Sequence, residues 1–159
     1  MRALTLFVAA LSLVPLTLAS AGTQAVPRRI GQTVVVSEAA LQRLKANKGV
    51  SLQWLWDSKP GTLRVTETSD GVRLLGRQGP TKYGSLEIEG LVERIEANDF
   101  TFRGRIVIVD VSEPTAPPCV REGLYTFRIK LKRPYWRLKE QVAHCAGRSD
   151  VADYVDIRF

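Results

Sequence analysis

Two stretches of this chain repeat one another around a single asparagine. Leu86-x-Ile88-x-Gly90-x-Val92 is followed by Phe100-x-Phe102-x-Gly104-x-Ile106, with glycine at the same place in each. An apolar period of two is the pattern of a strand with one buried face. If the chain turns at Glu96-Ala97-Asn98, an antiparallel register sets Gly90 opposite Gly104, Val92 opposite Phe102, Ile88 opposite Ile106 and Leu86 opposite Ile108. Each inward apolar residue then meets another, and asparagine tolerates the left-handed conformation that a three-residue loop needs. Facing glycines inside strands predict a sharp bend of the sheet. A helix competes for residues 86–95, because Ile88, Leu91, Val92 and Ile95 also fall at helical spacing. The shared repeat decides for strand.

The same period runs through most of the chain. Val50, Leu52, Trp54 and Trp56 alternate, with Ser51 and Gln53 between them, and Leu63 and Val65 alternate likewise. Ser69-Asp70-Gly71 then marks a hairpin turn before Val72 and Leu74. Residues 76–84 and 110–118 read as loops, the second carrying Pro114, Pro117 and Pro118. Tyr125, Phe127, Ile129 and Leu131 alternate against Thr126, Arg128, Lys130 and Lys132, and residues 154–159 alternate through Val155, Ile157 and Phe159. One helix is expected, from Glu38 to about Asn47, with Ser37 as its N-cap, Val36 and Leu41 as a hydrophobic staple and Gly49 as its stop. Residues 22–34 read as an extended lead-in with Pro27, Arg28 and Arg29 exposed. The expected fold is mostly β: a small antiparallel meander of about seven or eight strands with one short N-terminal helix. It would be closed, or nearly closed, into a barrel.

The N-terminus adds a compartment. Arg2 precedes an uncharged run from Ala3 to Leu18, and Ala19-Ser20-Ala21 offers small residues for a signal peptidase. Residues 1–21 therefore read as a signal peptide and residues 22–159 as a single β-rich domain with no transmembrane segment. The apolar run is shorter than a bilayer span and holds Pro15. The location expected is the periplasm or the extracellular space. In that oxidising setting the only cysteines, Cys119 and Cys145, read as a disulfide. They form no C-x-x-C, and their spacing fits no zinc pattern.

Groups that could carry chemistry are few. His144 is the single histidine and stands beside Cys145. No G-x-S-x-G, P-loop or H-E-x-x-H occurs. Asp150, Asp153 and Asp156 lie three apart and Glu87, Glu89 and Glu93 lie close together, but neither set matches a calcium loop, and both read as solvated strand faces. No cofactor or metal site is expected.

The charge balance is more informative. Formal net charge is +7, and Arg121, Arg128, Lys130, Lys132, Arg133, Arg137 and Lys139 stand against one acid, Glu122, between positions 121 and 139. With a turn centred on Pro134-Tyr135, Leu138 faces Leu131, Val142 faces Phe127, Lys130 faces Lys139 and Lys132 faces Arg137. Like charges directly opposite are destabilising, which calls for compensation. It could come from within, if the acids of residues 87–99 lay beside the hairpin, or from an anionic partner. The candidate ligand-binding residues are Arg128, Lys130, Lys132, Arg137 and Lys139, with Tyr135 and Trp136 at the tip. The outline resembles small exported barrels such as lipocalins, although the G-x-W signature of that family is missing and the tryptophans stand in Gln53-Trp54-Leu55-Trp56-Asp57.

The expected function is that of an exported, non-enzymatic binding scaffold for an anionic lipid, glycan or protein partner, with nucleic acid disfavoured by export. Two alternatives come from other classes. One is an inhibitor of a secreted hydrolase presenting loop 112–118. The other is a carboxylate-dependent hydrolase using Asp156 and Glu87.

Overall fold

A computed structural model describes residues 26–55, 59–142 and 152–159. Among these residues the fold is mostly β, with one short helix. Ten strands form one sheet: β1 (Arg28–Ile30), β2 (Thr33–Val35), β3 (Val50–Leu52), β4 (Thr62–Glu67), β5 (Val72–Gln78), β6 (Gly84–Ile95), β7 (Asp99–Asp110), β8 (Cys119–Arg128), β9 (Tyr135–Leu138) and β10 (Val155–Arg158). The proposed signal peptide, Trp56, His144, Cys145 and Asp150 lie outside the described residues.

The hairpin expected from the repeat is present in the expected register. β6 and β7 pair antiparallel with Gly90 opposite Gly104, Val92 opposite Phe102, Ile88 opposite Ile106 and Leu86 opposite Ile108. The glycines are there for space. A Cβ on Gly90 would come within 2.3 Å of the Arg103 carbonyl oxygen, and one on Gly104 within 2.1 Å of the Glu89 carbonyl oxygen. The Phe102 ring covers both positions on the inner side, 2.8 and 2.5 Å from where those Cβ atoms would stand. Two backbones and one ring share a gap here that no other side chain fits.

β5 lies against most of β6, and the Ser69-Asp70-Gly71 turn joins it to β4 as expected. The loop expected over 76–84 is shorter. β5 runs on through Gly76 to Gln78, because Leu63 and Ile88 pack against Gly76 from both neighbouring strands. Beyond Val92 the edge of β6 passes from β5 to β2, which pairs with it in parallel at Arg94 and Ile95. A bulge between Val92 and Arg94 marks the exchange. The buried Thr33 hydroxyl bridges it, donating to the Val92 carbonyl at 2.6 Å and accepting from the Val72 amide at 2.8 Å.

The path continues β7–β8–β9–β10–β3. Among the described residues no ladder joins β3 to β4, so strand pairing does not close the sheet. The seam is narrow all the same. The Gly61 amide donates to the Val50 carbonyl at 2.8 Å, and the Gln78 side chain accepts from the Leu52 amide at 2.7 Å.

The helix α1 (Glu38–Lys45) begins at Ser37, whose hydroxyl accepts from the Ala40 amide. It ends earlier than expected. The Asn47 side chain caps the Leu44 carbonyl at 2.9 Å and reaches the Leu63 carbonyl, so Gly49 is not the stop. Ala40, Leu41 and Leu44 are buried, and Ser37 and Lys48 tie the two ends of the segment to Ile95 and Arg158. The helix therefore lies across one end of the sheet, where Phe100 stacks on Phe127 and meets Trp136 edge-on. Trp54, Tyr83 and Tyr154 stand at the opposite end, where no helix lies among the described residues.

Candidate functional site

The basic hairpin exists, but its register differs from the expected one by four residues. β8 and β9 pair Phe127 with Leu138 and Arg128 with Arg137. The turn is centred on Leu131-Lys132, not on Pro134-Tyr135. Both residues have positive φ, 53° and 54°, and the Arg133 amide closes the turn onto the Lys130 carbonyl at 3.1 Å. Two successive left-handed residues suit the right-handed twist of a tight hairpin.

A shift of four leaves the inward and outward parity unchanged but exchanges the residues that fill the core. Trp136 is 1 % exposed, set edge-on to Phe100 and in ring contact with Phe159. It is a core residue and not part of the tip. Leu131, expected inside against Leu138, is 85 % exposed at the apex. Burying an indole removes more apolar surface than burying a leucine, which favours the observed register. Val142 does not face Phe127; it is exposed and bridges to Ala152.

The expected crowding of cations is resolved in two ways. Arg128 and Arg137 face each other, and each has its own carboxylate on the strand beyond. Arg128 pairs with Asp99 at 3.0 Å. Arg137 makes a two-pronged contact with Asp156, at 2.7 and 2.8 Å, with its guanidinium carbon 5.0 Å from the Tyr135 ring centre and 4.7 Å from that of Tyr154. The hydrogen bond to Asp156 holds the Arg137 guanidinium above its ordinary pKa, so it stays charged. These two arginines are thus structural partners of acids on β7 and β10. Lys130, Lys132 and Lys139 are exposed and make no ion pair among the described residues. Arg133 lies against Tyr135, donating to its hydroxyl at 2.6 Å.

Glu87, Glu89 and Glu93 do not interleave with the hairpin. Glu87 stands 3.8 Å from Arg77, Glu89 faces Arg105 and Glu93 accepts from Arg103 at 2.6 Å, all on β5 and β7. Glu87 and Asp156 lie on strands that do not pair, each beside its own arginine, so the two suspected hydrolase carboxylates are not brought together. Nor do Asp153 and Asp156 belong to a solvated face. Asp153 and Asp156 are buried, and Asp153 accepts from the Trp54 indole at 3.2 Å. Cys119 is buried at the start of β8. Loop 112–118 is largely exposed.

The resulting tip is Lys130-Leu131-Lys132-Arg133: three cations around one projecting leucine, on a turn fixed in two left-handed steps. The cations were legible in the sequence. The leucine was not, because alternation placed it inside.

Residues 32–159 match the model of the PM1083 family. The chain belongs to that family. It is 34 % identical over 110 residues to a protein of Pasteurella multocida (strain Pm70) described as uncharacterized protein PM1083, covering 69 % of each chain. No solved structure matches.

Proposed function

We propose that this member of the PM1083 family is an exported, non-enzymatic β scaffold that docks on an anionic lipid surface of the cell envelope through the tip of its basic hairpin. The observation that carries it is Leu131, 85 % exposed between Lys130 and Lys132. An apolar side chain held outward among cations is suited to a charged headgroup layer, where lysines meet phosphates and the leucine enters the acyl boundary. Two non-glycine residues with positive φ are individually unfavourable, so the chain keeps a strained turn to present them. The residues 1–21, read as a cleaved signal peptide, would deliver the domain to the envelope. A Cys119–Cys145 disulfide would suit that compartment, and among the described residues no cysteine is free. The narrow β3–β4 seam supports a nearly closed barrel as the scaffold.

The test is co-sedimentation with phosphatidylglycerol vesicles at low salt. Each lysine near such a surface contributes about 1 kcal/mol, so K130Q/K132Q should bind roughly thirtyfold more weakly. L131N should also bind more weakly while folding as well as the parent, because asparagine accepts a left-handed conformation. Binding to neutral phosphatidylcholine vesicles should be weak throughout. An inhibitor of a hydrolase would instead use loop 112–118, and its packed interface would resist salt where the lipid contact does not. Unchanged sedimentation of both variants would overturn the proposal.

A further inference from the structure

The end of the sheet away from α1 carries a cleft of about 690 Å³, within the range of small-ligand sites. It is lined by Gln53 and Trp54 after β3, Tyr83 before β6, Asp110 and Ser112 at the end of β7, and Tyr154 before β10. We infer that this cleft binds a neutral carbohydrate. Three aromatic residues from three separate segments line it, the kind of side chain on which the C–H faces of a pyranose stack. Among the described residues the aliphatic lining is Val111 and Ala152, too little for a lipid chain.

The rings are held in place by the surrounding structure. The Trp54 indole donates to Asp153 at 3.2 Å, and its Cη2 lies 3.1 Å from where a Cβ of Gly84 would stand, so the ring rests on the start of β6. Tyr154 has Arg137 over its ring and accepts the Gln53 amide on its carbonyl at 2.9 Å. Tyr83 is 37 % exposed, and its carbonyl accepts from the Val111 amide at 3.0 Å. Polar groups alternate with the rings. Asp110 accepts from the Ser112 hydroxyl at 2.6 Å and amide at 3.0 Å, and Ser112, Asp110 and Gln53 line the cleft together with the rings. Such groups recognise sugar hydroxyls in both donor and acceptor senses. Among the described lining residues Lys82 and Asp110 bring one charge of each sign, which favours a neutral ligand over an anionic one.

The cleft is independent of the hairpin tip. Asp99, beside Arg128, and Asp110, in the cleft, are the two ends of β7, roughly 36 Å apart along an extended strand.

The experiment uses protein expressed from the full chain and titrated with cellohexaose, chitohexaose and maltohexaose, followed by amide and indole NMR. Saturable shifts of the Trp54 indole and of the Tyr83, Val111 and Tyr154 amides are expected with at least one of the three. Y83A should weaken that binding at least about tenfold with an unchanged melting temperature, since its ring is partly exposed. K130Q/K132Q should leave it untouched, which separates this site from lipid docking. No shift with any of the three sugars, or binding that Y83A leaves intact, would overturn the inference. So would a cleft that takes a fatty acid in their place.

Discussion

Two hairpins of this molecule are built from the same alternation, yet only one has its register written in the sequence. In the β6–β7 hairpin the glycines fix the pairing absolutely. Gly90 and Gly104 must meet, because neither position tolerates a Cβ against the partner backbone. In the β8–β9 hairpin nothing of that kind exists. Tyr125, Phe127, Ile129 and Leu131 alternate on one side, and Trp136 and Leu138 on the other. Any shift by an even number of residues keeps apolar side chains inward, so parity is specified and register is not. The choice falls to tertiary packing. Trp136 enters the aromatic cluster beneath α1, Leu131 is expelled, and the turn moves from Pro134-Tyr135 to Leu131-Lys132.

The largest effect should come from breaking the fixed hairpin. G104V places a side chain at a position where even a Cβ meets backbone at 2.1 Å, and should destabilise the domain by about 3 kcal/mol or more in urea unfolding. The matching change in the second hairpin is smaller and has a different cause. R137A removes no register signal but leaves Asp156, 4 % exposed, without its cation. A loss of roughly 3 kcal/mol is the upper expectation, because Arg137 is itself partly exposed. R137A/D156N should recover part of it, and a double mutant no better than R137A would show that the pair does not act as a unit.

Where the two hairpins touch, Tyr125 of β8 faces Phe102 of β7. Burial raises the Tyr125 pKa above its ordinary 10, opposed by nearby Arg121. The neutral phenol is therefore favoured in the folded state. Its contribution is fully present below pH 10 and is lost as pH rises through the folded pKa. Unfolding free energy should fall above pH 10 in the parent and less steeply in Y125F. The smallest effect is expected at the tip. L131N should leave stability level or raise it by up to about 1 kcal/mol, since it relieves a left-handed leucine. Clear destabilisation would mean that Leu131 packs against the domain and is not free to meet a membrane.

What the sequence shows of the site follows the same division. The β-rich class, the single helix capped by Ser37, the β4–β5 turn and the β6–β7 register rest on local chemistry. The neutralisation of Arg128 by Asp99 and of Arg137 by Asp156 joins residues 29 and 19 positions apart and depends on the observed pairing. The buried aspartates were hidden for a related reason: their partners, Trp54 and Arg137, come from distant segments. The cleft at the far end draws on four separate segments among the described residues and has no local signature.

Hydrogen exchange on the full chain, with and without phosphatidylglycerol vesicles, tests the central claim most directly. Slowed exchange is expected at the amides of residues 129–133 alone, with residues 82–84 and 110–112 unchanged. Protection centred on the cleft or on loop 112–118, with the hairpin tip unaffected, would contradict it.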